Sequence, residues 1–103
     1  MKWDVLWSEA AEADLDAIWL YIAQADLVAA DRQIDRIVGI VGKLSDFPRL
    51  GPDRSDVDVG LRGLTRGNYL ILYELHEAER QVAILRIIDG RRDIAELFRA
   101  AGE

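Results

Sequence analysis

The sequence contains no cysteine and a single histidine, His76. Disulfides and thiolate metal sites therefore cannot form, and a metal site built on several histidines is excluded. The chain also lacks a glycine-rich phosphate loop, a dinucleotide fingerprint and a Ser-His-Asp arrangement. We therefore expect no metal and no cofactor, and no catalytic residue can be assigned. These absences favour a protein that binds a partner. RNA cleavage is the one enzymatic activity that they leave open.

Long apolar runs are missing too. The N-terminal stretch MKWDVLW is interrupted by Asp4, and no segment reaches the length of a signal peptide core or a membrane span. We therefore expect a cytoplasmic protein. The length of 103 residues predicts one domain over residues 1–103, with a single two-layer core.

Charge is unevenly distributed along the chain. The net charge is −6, which argues against broad non-specific affinity for nucleic acid. Residues 1–47 carry nine acidic and four basic side chains, whereas residues 48–103 carry ten and nine. We expect an acidic helical half and a sheet that bears most of the arginines, namely Arg62, Arg66, Arg86, Arg91 and Arg92.

The first half of the chain reads as a strand followed by two helices. Alternating apolar residues predict a strand over residues 2–7, and Ser8 is well placed to cap a helix that runs to about Ala25. A second helix is predicted over residues 27–45, forming an antiparallel hairpin with the first. Gly39 and Gly42 each cost this helix roughly 1 kcal/mol. We therefore expect a helix or the sheet to approach closely at both glycines.

Two long apolar segments organise the second half. Residues 69–75 and 82–88 are apolar on both alternating faces, as in strands enclosed on both sides, and the polar stretch 76–80 has the length of a hairpin loop. A loop over residues 49–58, a modest strand over 59–64 and a turn over 65–68 precede them. These strands form an antiparallel meander whose last two members are the centre of the sheet.

The predicted fold class is α+β: an N-terminal strand, a helical hairpin, a three-stranded antiparallel meander and a short C-terminal helix after Asp93. Runs of helices and then of strands place the hairpin on one face of a mainly antiparallel sheet. The other face also needs a cover. The C-terminal helix, which carries Phe98, a second copy of the chain or a partner chain are the candidates.

Arg86 interrupts the apolar pattern of the last strand. Burying an unpaired guanidinium costs several kcal/mol, so Arg86 either pairs with an acid such as Glu74 on the facing strand or lies on a face open to solvent or a ligand. Trp19 and Tyr21 fall on different sides of the first helix, where they either pack or contact a partner.

RNA cleavage needs a base that activates a 2'-hydroxyl and cations that stabilise the transition state. Arg62, Arg66, Arg86 and Arg91 could supply the cations. The base is harder to find, because His76 lies in the predicted loop at the opposite end of the hairpin from Arg91. Arginines without a base favour binding over catalysis.

Four blocks of the sequence resemble a known family. Residues 7–22 (WSEAAEADLDAIWLYI), Pro48 with Gly51, residues 60–74 (GLRGLTRGNYLILYE) and residues 84–93 (ILRIIDGRRD) are similar to toxins of the ParE branch of the RelE/ParE superfamily. The resemblance spans nearly the whole chain. It implies a small cytoplasmic toxin of a type II toxin-antitoxin system, of the kind linked to plasmid stabilisation, that is neutralised by direct binding of a ParD-like antitoxin.

The ParE branch is associated with inhibition of DNA gyrase, and the RelE branch with ribosome-dependent cleavage of messenger RNA. The position before GRRD, often histidine in the superfamily, is Asp89 here, and the only lysines are Lys2 and Lys43. These departures favour gyrase as the target. A ribosome-dependent ribonuclease and an inactive antitoxin-binding homologue are the alternatives. The residues that we expect to contact a partner are Trp19, Tyr21, Arg62, Tyr73, Arg86, Arg91, Arg92 and Phe98.

Overall fold

Ser8 joins the first strand to the first helix. In a computed structural model, which describes residues 2–92, 94 and 96, strand β1 (Asp4–Trp7) leads directly into helix α1 (Glu9–Ala23). The Ser8 hydroxyl accepts a hydrogen bond from the Ala11 backbone N–H at 3.0 Å. The predicted N-cap is therefore confirmed, whereas the strand is shorter than the predicted residues 2–7.

The second helix is also capped by a side chain. Helix α2 (Leu27–Gly42) begins after Asp26, whose carboxylate accepts from the Ala29 N–H at 3.0 Å. It continues as a short 3-10 turn, Lys43–Ser45, so the predicted helix over 27–45 changes geometry in its last turn. The two helices are adjacent in space, which confirms the helical hairpin.

Three further strands complete one sheet: β2 (Arg62–Arg66), β3 (Tyr69–His76) and β4 (Gln81–Asp89). The strand order is β1-β4-β3-β2. The pairs β2–β3 and β3–β4 are antiparallel, as predicted, while β1 runs parallel to β4. Strand β2 begins later than the predicted residues 59–64, because Gly60 has a φ of 80° and belongs to the preceding turn.

Apolar residues cover both faces of the sheet, as its two central strands predict. On the helical face the largest buried side chains are those of Ile37, Leu44, Ile71, Tyr73 and Ile84. On the opposite face Leu70, Leu72 and Ile88 pack with Leu61, Val57 and Ile94. Part of that cover is therefore the segment before β2, which was not among the candidates derived from the sequence.

The predicted C-terminal helix falls largely outside the described residues, although Ile94 and Glu96 have helical backbone. Phe98 lies outside them. No helix in the described part of the chain is long and apolar enough to cross a membrane.

The expected close approach at the two glycines of α2 is wrong. A Cβ built at Gly39 or at Gly42 would meet no other heavy atom within 4 Å. Packing within the described part of the chain therefore does not require a glycine at either position.

Candidate functional site

A cleft of about 330 Å³ lies between α1 and the second half of β4. Helix α1 contributes Ala17, Ile18 and Tyr21 to its lining, and the sheet contributes Tyr69 and Ile87. Four of the residues predicted to contact a partner line this cleft: Tyr21, Arg86, Arg91 and Arg92. The cleft therefore brings together half of the eight residues predicted to contact a partner.

The cleft exists because β1 is short. Strand β1 pairs only with residues 81–84 of β4, so the second half of β4 has no strand on that side. The register of β4 against β3 shifts between Leu72 and Tyr73, and the Leu85 carbonyl at this irregularity accepts a hydrogen bond from the Ser8 hydroxyl at 2.9 Å. The cap of α1 therefore also fixes the point where β4 separates from β1.

Beyond this point β4 turns an edge toward the cleft. The Ile87 N–H donates to an Asp14 carboxylate oxygen at 2.9 Å, so it points away from β3. Backbone groups of alternate residues in a strand point the same way, which directs those of Asp89 to the same side. The segment from Ile87 to Asp89 therefore presents a strand edge to the cleft.

Asp14 and Arg86 form the ion pair at the side of the cleft. Arg86 donates to the Asp14 carboxylate from Nε at 2.7 Å and from Nη2 at 2.9 Å. The side chain of Arg86 is 18% exposed and that of Asp14 is 16% exposed. The hydrogen bond to Asp14 raises the pKa of Arg86 above its ordinary value. Arg86 therefore pairs with an acid, which is one of the two predicted alternatives, but the acid is Asp14. The suggested partner Glu74 is wrong, since it contacts His76 at 2.9 Å.

The mouth of the cleft carries further charge. Arg91 binds the Asp89 carboxylate at 2.6 and 2.9 Å, and these hydrogen bonds lower the pKa of Asp89 to about 2. Burial and the Asp89 charge raise the pKa of Tyr69. Arg92 is exposed and forms no salt bridge with any described residue. The cleft thus combines apolar side chains, two tyrosines, two arginine-carboxylate pairs and the cation of Arg92.

Two predicted partner residues lie elsewhere and support the chain before β2. Tyr73 is fully buried; its hydroxyl accepts from the Gly51 N–H and donates to the Pro48 carbonyl, both at 2.8 Å. Arg62 donates to the Gly51 carbonyl at 2.7 Å. The structure therefore places Tyr73 in the core, and we remove it from the residues expected to contact a partner. Arg62 remains a candidate on β2, an edge strand of the sheet.

Trp19 links the two helices. Its indole N–H donates to the Asp31 carboxylate at 2.8 Å, and its side chain is half-buried. Because this bond is already made within the chain, Trp19 has a structural role whether or not a partner also touches it.

Sequence reasoning missed Asp14 and Tyr69. Asp14, Ile18 and Tyr21 are spaced i, i+4 and i+7, which places them on one face of α1. A carboxylate on that face, opposite an arginine in an apolar strand, is the signal that could have identified Asp14. Nothing in the sequence marks Tyr69, which is the first residue of a mainly apolar strand.

The carboxylates among the described residues of the cleft already have partners within the chain. A base with a pKa near 7 accepts protons best at neutral pH, yet the pKa of Asp89 is about 2 and that of Tyr69 is raised. Asp14 is held by three hydrogen bonds. No group of three His, Cys, Asp or Glu side chains among the described residues could hold a metal ion.

The sequence profile of the family described as "ParE toxin of type II toxin-antitoxin system, parDE" matches residues 5–94. The chain belongs to this ParE toxin family. Toxin ParE3 of Caulobacter vibrioides is 38% identical over 92 residues, which make up 88% of this chain and 90% of that protein. The family membership predicted from the four sequence blocks is therefore confirmed.

Solved structures give the same fold. A chain of the chromosomal ParDE toxin-antitoxin system from P. aeruginosa superposes with a TM-score of 0.72 and 27% identity, over 85% of this chain and 96% of that one. A chain of the RelBE2 toxin-antitoxin complex from Mycobacterium tuberculosis has a TM-score of 0.69 and 24% identity, over 86% and 99%. The predicted α+β class is thus also confirmed, and the second likeness concerns the fold alone.

Proposed function

We propose that this ParE-family toxin acts in the cytoplasm by inhibiting DNA gyrase, that it does so by binding without chemistry of its own, and that a cognate ParD-like antitoxin silences it. The observation that carries the proposal is the cleft beside β4, which offers a strand edge, apolar side chains and cations to a protein partner. The P. aeruginosa relative comes from a ParDE system, which supports an antitoxin as that partner.

The antitoxin segment is proposed to add to the open edge of β4. An extended peptide that pairs with a sheet edge gains main-chain hydrogen bonds, and side-chain pockets give it specificity. Here its apolar side chains would lie on Ile18 and Tyr21, while an acidic side chain would meet Arg92, which has no salt bridge among the described residues. Arg86 is already held by Asp14, so its proposed role is to fix the wall of the cleft.

Gyrase as the target is supported by membership of the ParE family and by the hydrogen bonds that already engage the Asp14 and Asp89 carboxylates of the cleft within the chain. The test is a supercoiling reaction with purified gyrase and relaxed plasmid, to which the antitoxin-free toxin is added. Inhibition with accumulation of cleaved DNA is the expected result. A parallel reaction with ribosomes and messenger RNA covers the alternative: RNA cleavage without gyrase inhibition would overturn the proposal.

If neither reaction responds, the chain is an inactive antitoxin-binding homologue, and the gyrase proposal is wrong. This conclusion requires that the same preparation is folded and still binds its antitoxin. Circular dichroism and a titration with the antitoxin establish both points.

A further inference from the structure

A strip of four exposed basic side chains lies along α2 and at the end of β2, outside the cleft. Arg32, Arg36 and Lys43 are spaced i, i+4 and i+11 along α2 and its final turn, which places them on one helical face. Arg66 lies at the end of β2, and together with Arg36 and Lys43 it lines a hollow of about 260 Å³. From Arg32 to Lys43 the strip extends roughly 16 Å at the rise of a helix.

These four cations differ from four of the other arginines in having no carboxylate partner within the described part of the chain. Arg49, Arg54, Arg86 and Arg91 each form a salt bridge with a carboxylate, whereas the four members of the strip form none with any described residue. Asp35 also lines the hollow, but it is not within bonding distance of them. The net charge of the chain is −6, so carboxylates are plentiful. Among the residues that the structure describes, these neighbouring cations nevertheless form no salt bridge that would stabilise the fold.

Gly39 supplies a second, independent observation. It lies between Arg36 and Lys43 on the same helical face and lines the same hollow. Glycine weakens a helix, and a Cβ at this position would meet nothing within 4 Å, so the fold gains nothing from it. The bare backbone instead leaves room for a bulky group to settle between the two cations.

We propose that this strip binds the phosphate backbone of duplex DNA. Guanidinium groups match phosphate oxygens in a bidentate geometry, and the phosphates of each DNA strand recur about every 3.4 Å along the helix axis. Protein-protein interfaces have an apolar or aromatic centre, whereas protein-DNA interfaces are polar and positively charged. Among the described residues, Ile40 is the only apolar side chain that lines the hollow, and it is half-buried. The strip therefore fits DNA better than an acidic protein.

This inference goes beyond the proposed function, because neither gyrase nor the antitoxin takes part in it. It would allow the toxin to contact the DNA segment that gyrase holds. DNA binding at the strip depends on the local positive charge of these four side chains. The net charge of −6 over the whole chain therefore does not exclude it.

The test measures binding of the full chain to a fluorescent duplex of about 20 base pairs by anisotropy, over a range of salt concentrations that starts near about 50 mM. We expect the logarithm of the affinity to fall linearly with the logarithm of the salt concentration. The double variant Arg36→Gln/Lys43→Gln should lower this slope by about 2 and weaken binding by about tenfold at the lowest salt concentration. The matched control is Lys2→Gln/Arg54→Gln, which makes the same charge change outside the strip and should leave the slope unchanged.

Two single variants separate binding from folding. Gly39→Gln should weaken DNA binding without lowering the melting temperature, because the site is open and glycine is the poorer helix former. Asp35→Asn should strengthen binding, because it removes the carboxylate from the hollow.

Three results would overturn the proposal. The first is no DNA binding by the unmodified chain at the lowest salt concentration, and the second is an equal loss of DNA affinity in the strip variant and the control. The third is that single-stranded RNA or polyglutamate displaces the labelled duplex at the same concentration as unlabelled duplex does. The last result would assign the strip to RNA or to an acidic protein. None of these outcomes depends on gyrase, so the gyrase proposal is tested separately.

Discussion

Asp14 and Arg86, 72 positions apart in the chain, form two hydrogen bonds between α1 and β4 at 2.7 and 2.9 Å. The same carboxylate accepts the Ile87 N–H. One acidic side chain therefore pairs with the arginine of β4, accepts a hydrogen bond from a backbone N–H at the strand edge and attaches the helix beside the cleft.

Replacement of Asp14 by alanine should destabilise the fold. It would leave a largely buried guanidinium and the Ile87 N–H without their acceptor, so we expect the free energy of unfolding to fall by about 2 kcal/mol. Urea denaturation measures the change. Asp16→Ala is the control, because Asp16 is exposed on the same helix and should have little effect. Equal losses in the two variants would contradict the role given to Asp14.

Tyr21→Ala should weaken antitoxin binding by about tenfold or more, as truncation of an aromatic anchor commonly does. Tyr21 is 74% exposed and lines the cleft, so its truncation should change the stability little. The control is Leu20→Ala, since Leu20 is 59% exposed on the same helix but does not line the cleft. Calorimetric titration with the antitoxin segment compares the two. A larger loss for Leu20→Ala would place the antitoxin outside the cleft.

Tyr73→Phe should reduce stability without changing antitoxin affinity. Its hydroxyl is the acceptor for the Gly51 N–H and a donor to Pro48, and loss of these buried hydrogen bonds should cost about 1–2 kcal/mol. Thermal unfolding and titration of the folded variant with the antitoxin give the two quantities. A weaker complex with undiminished stability would return Tyr73 to the partner-binding residues.

The Asp89–Arg91 pair should make part of the stability dependent on acid pH. The pKa of Asp89 is lowered in the folded state from the ordinary value of 3.8 to about 2, so the folded protein binds this proton less readily than the unfolded chain. The contribution is therefore complete above about pH 4 and is lost as the pH falls toward 2. NMR titration of the Asp89 carboxyl should show the lowered pKa, and Arg91→Gln should raise it. An ordinary pKa in the unmodified protein would contradict the pairing.

Local features of the fold could be predicted because local physics determines them. Ser8 was identified as a helix cap because its hydroxyl serves backbone N–H groups only three residues away. The central hairpin was recognised from two apolar runs around a polar loop. The four-block resemblance then gave the family, which the relatives confirm.

Long-range features could not be predicted in the same way. A short alternating strand at the N-terminus does not reveal its neighbour, so the parallel pairing of β1 with β4 was not foreseen. The partner of Arg86 was sought on the facing strand at Glu74, but the register of the sheet shifts nearby and the acid comes from α1. Tyr73 was expected to contact a partner because the sequence does not show how the loop with Pro48 and Gly51 folds over it. That loop buries the Tyr73 side chain.

Gyrase poisoning by this toxin, and its silencing by an antitoxin in the cleft, are the central proposals. The most direct measurement is the supercoiling of relaxed plasmid by purified gyrase, with free toxin added first and the antitoxin segment titrated in afterwards. We expect inhibition with cleaved DNA, full recovery on addition of the segment, and a higher segment concentration for recovery when the toxin carries Tyr21→Ala. Undiminished supercoiling in the presence of folded, antitoxin-competent toxin would contradict the gyrase proposal.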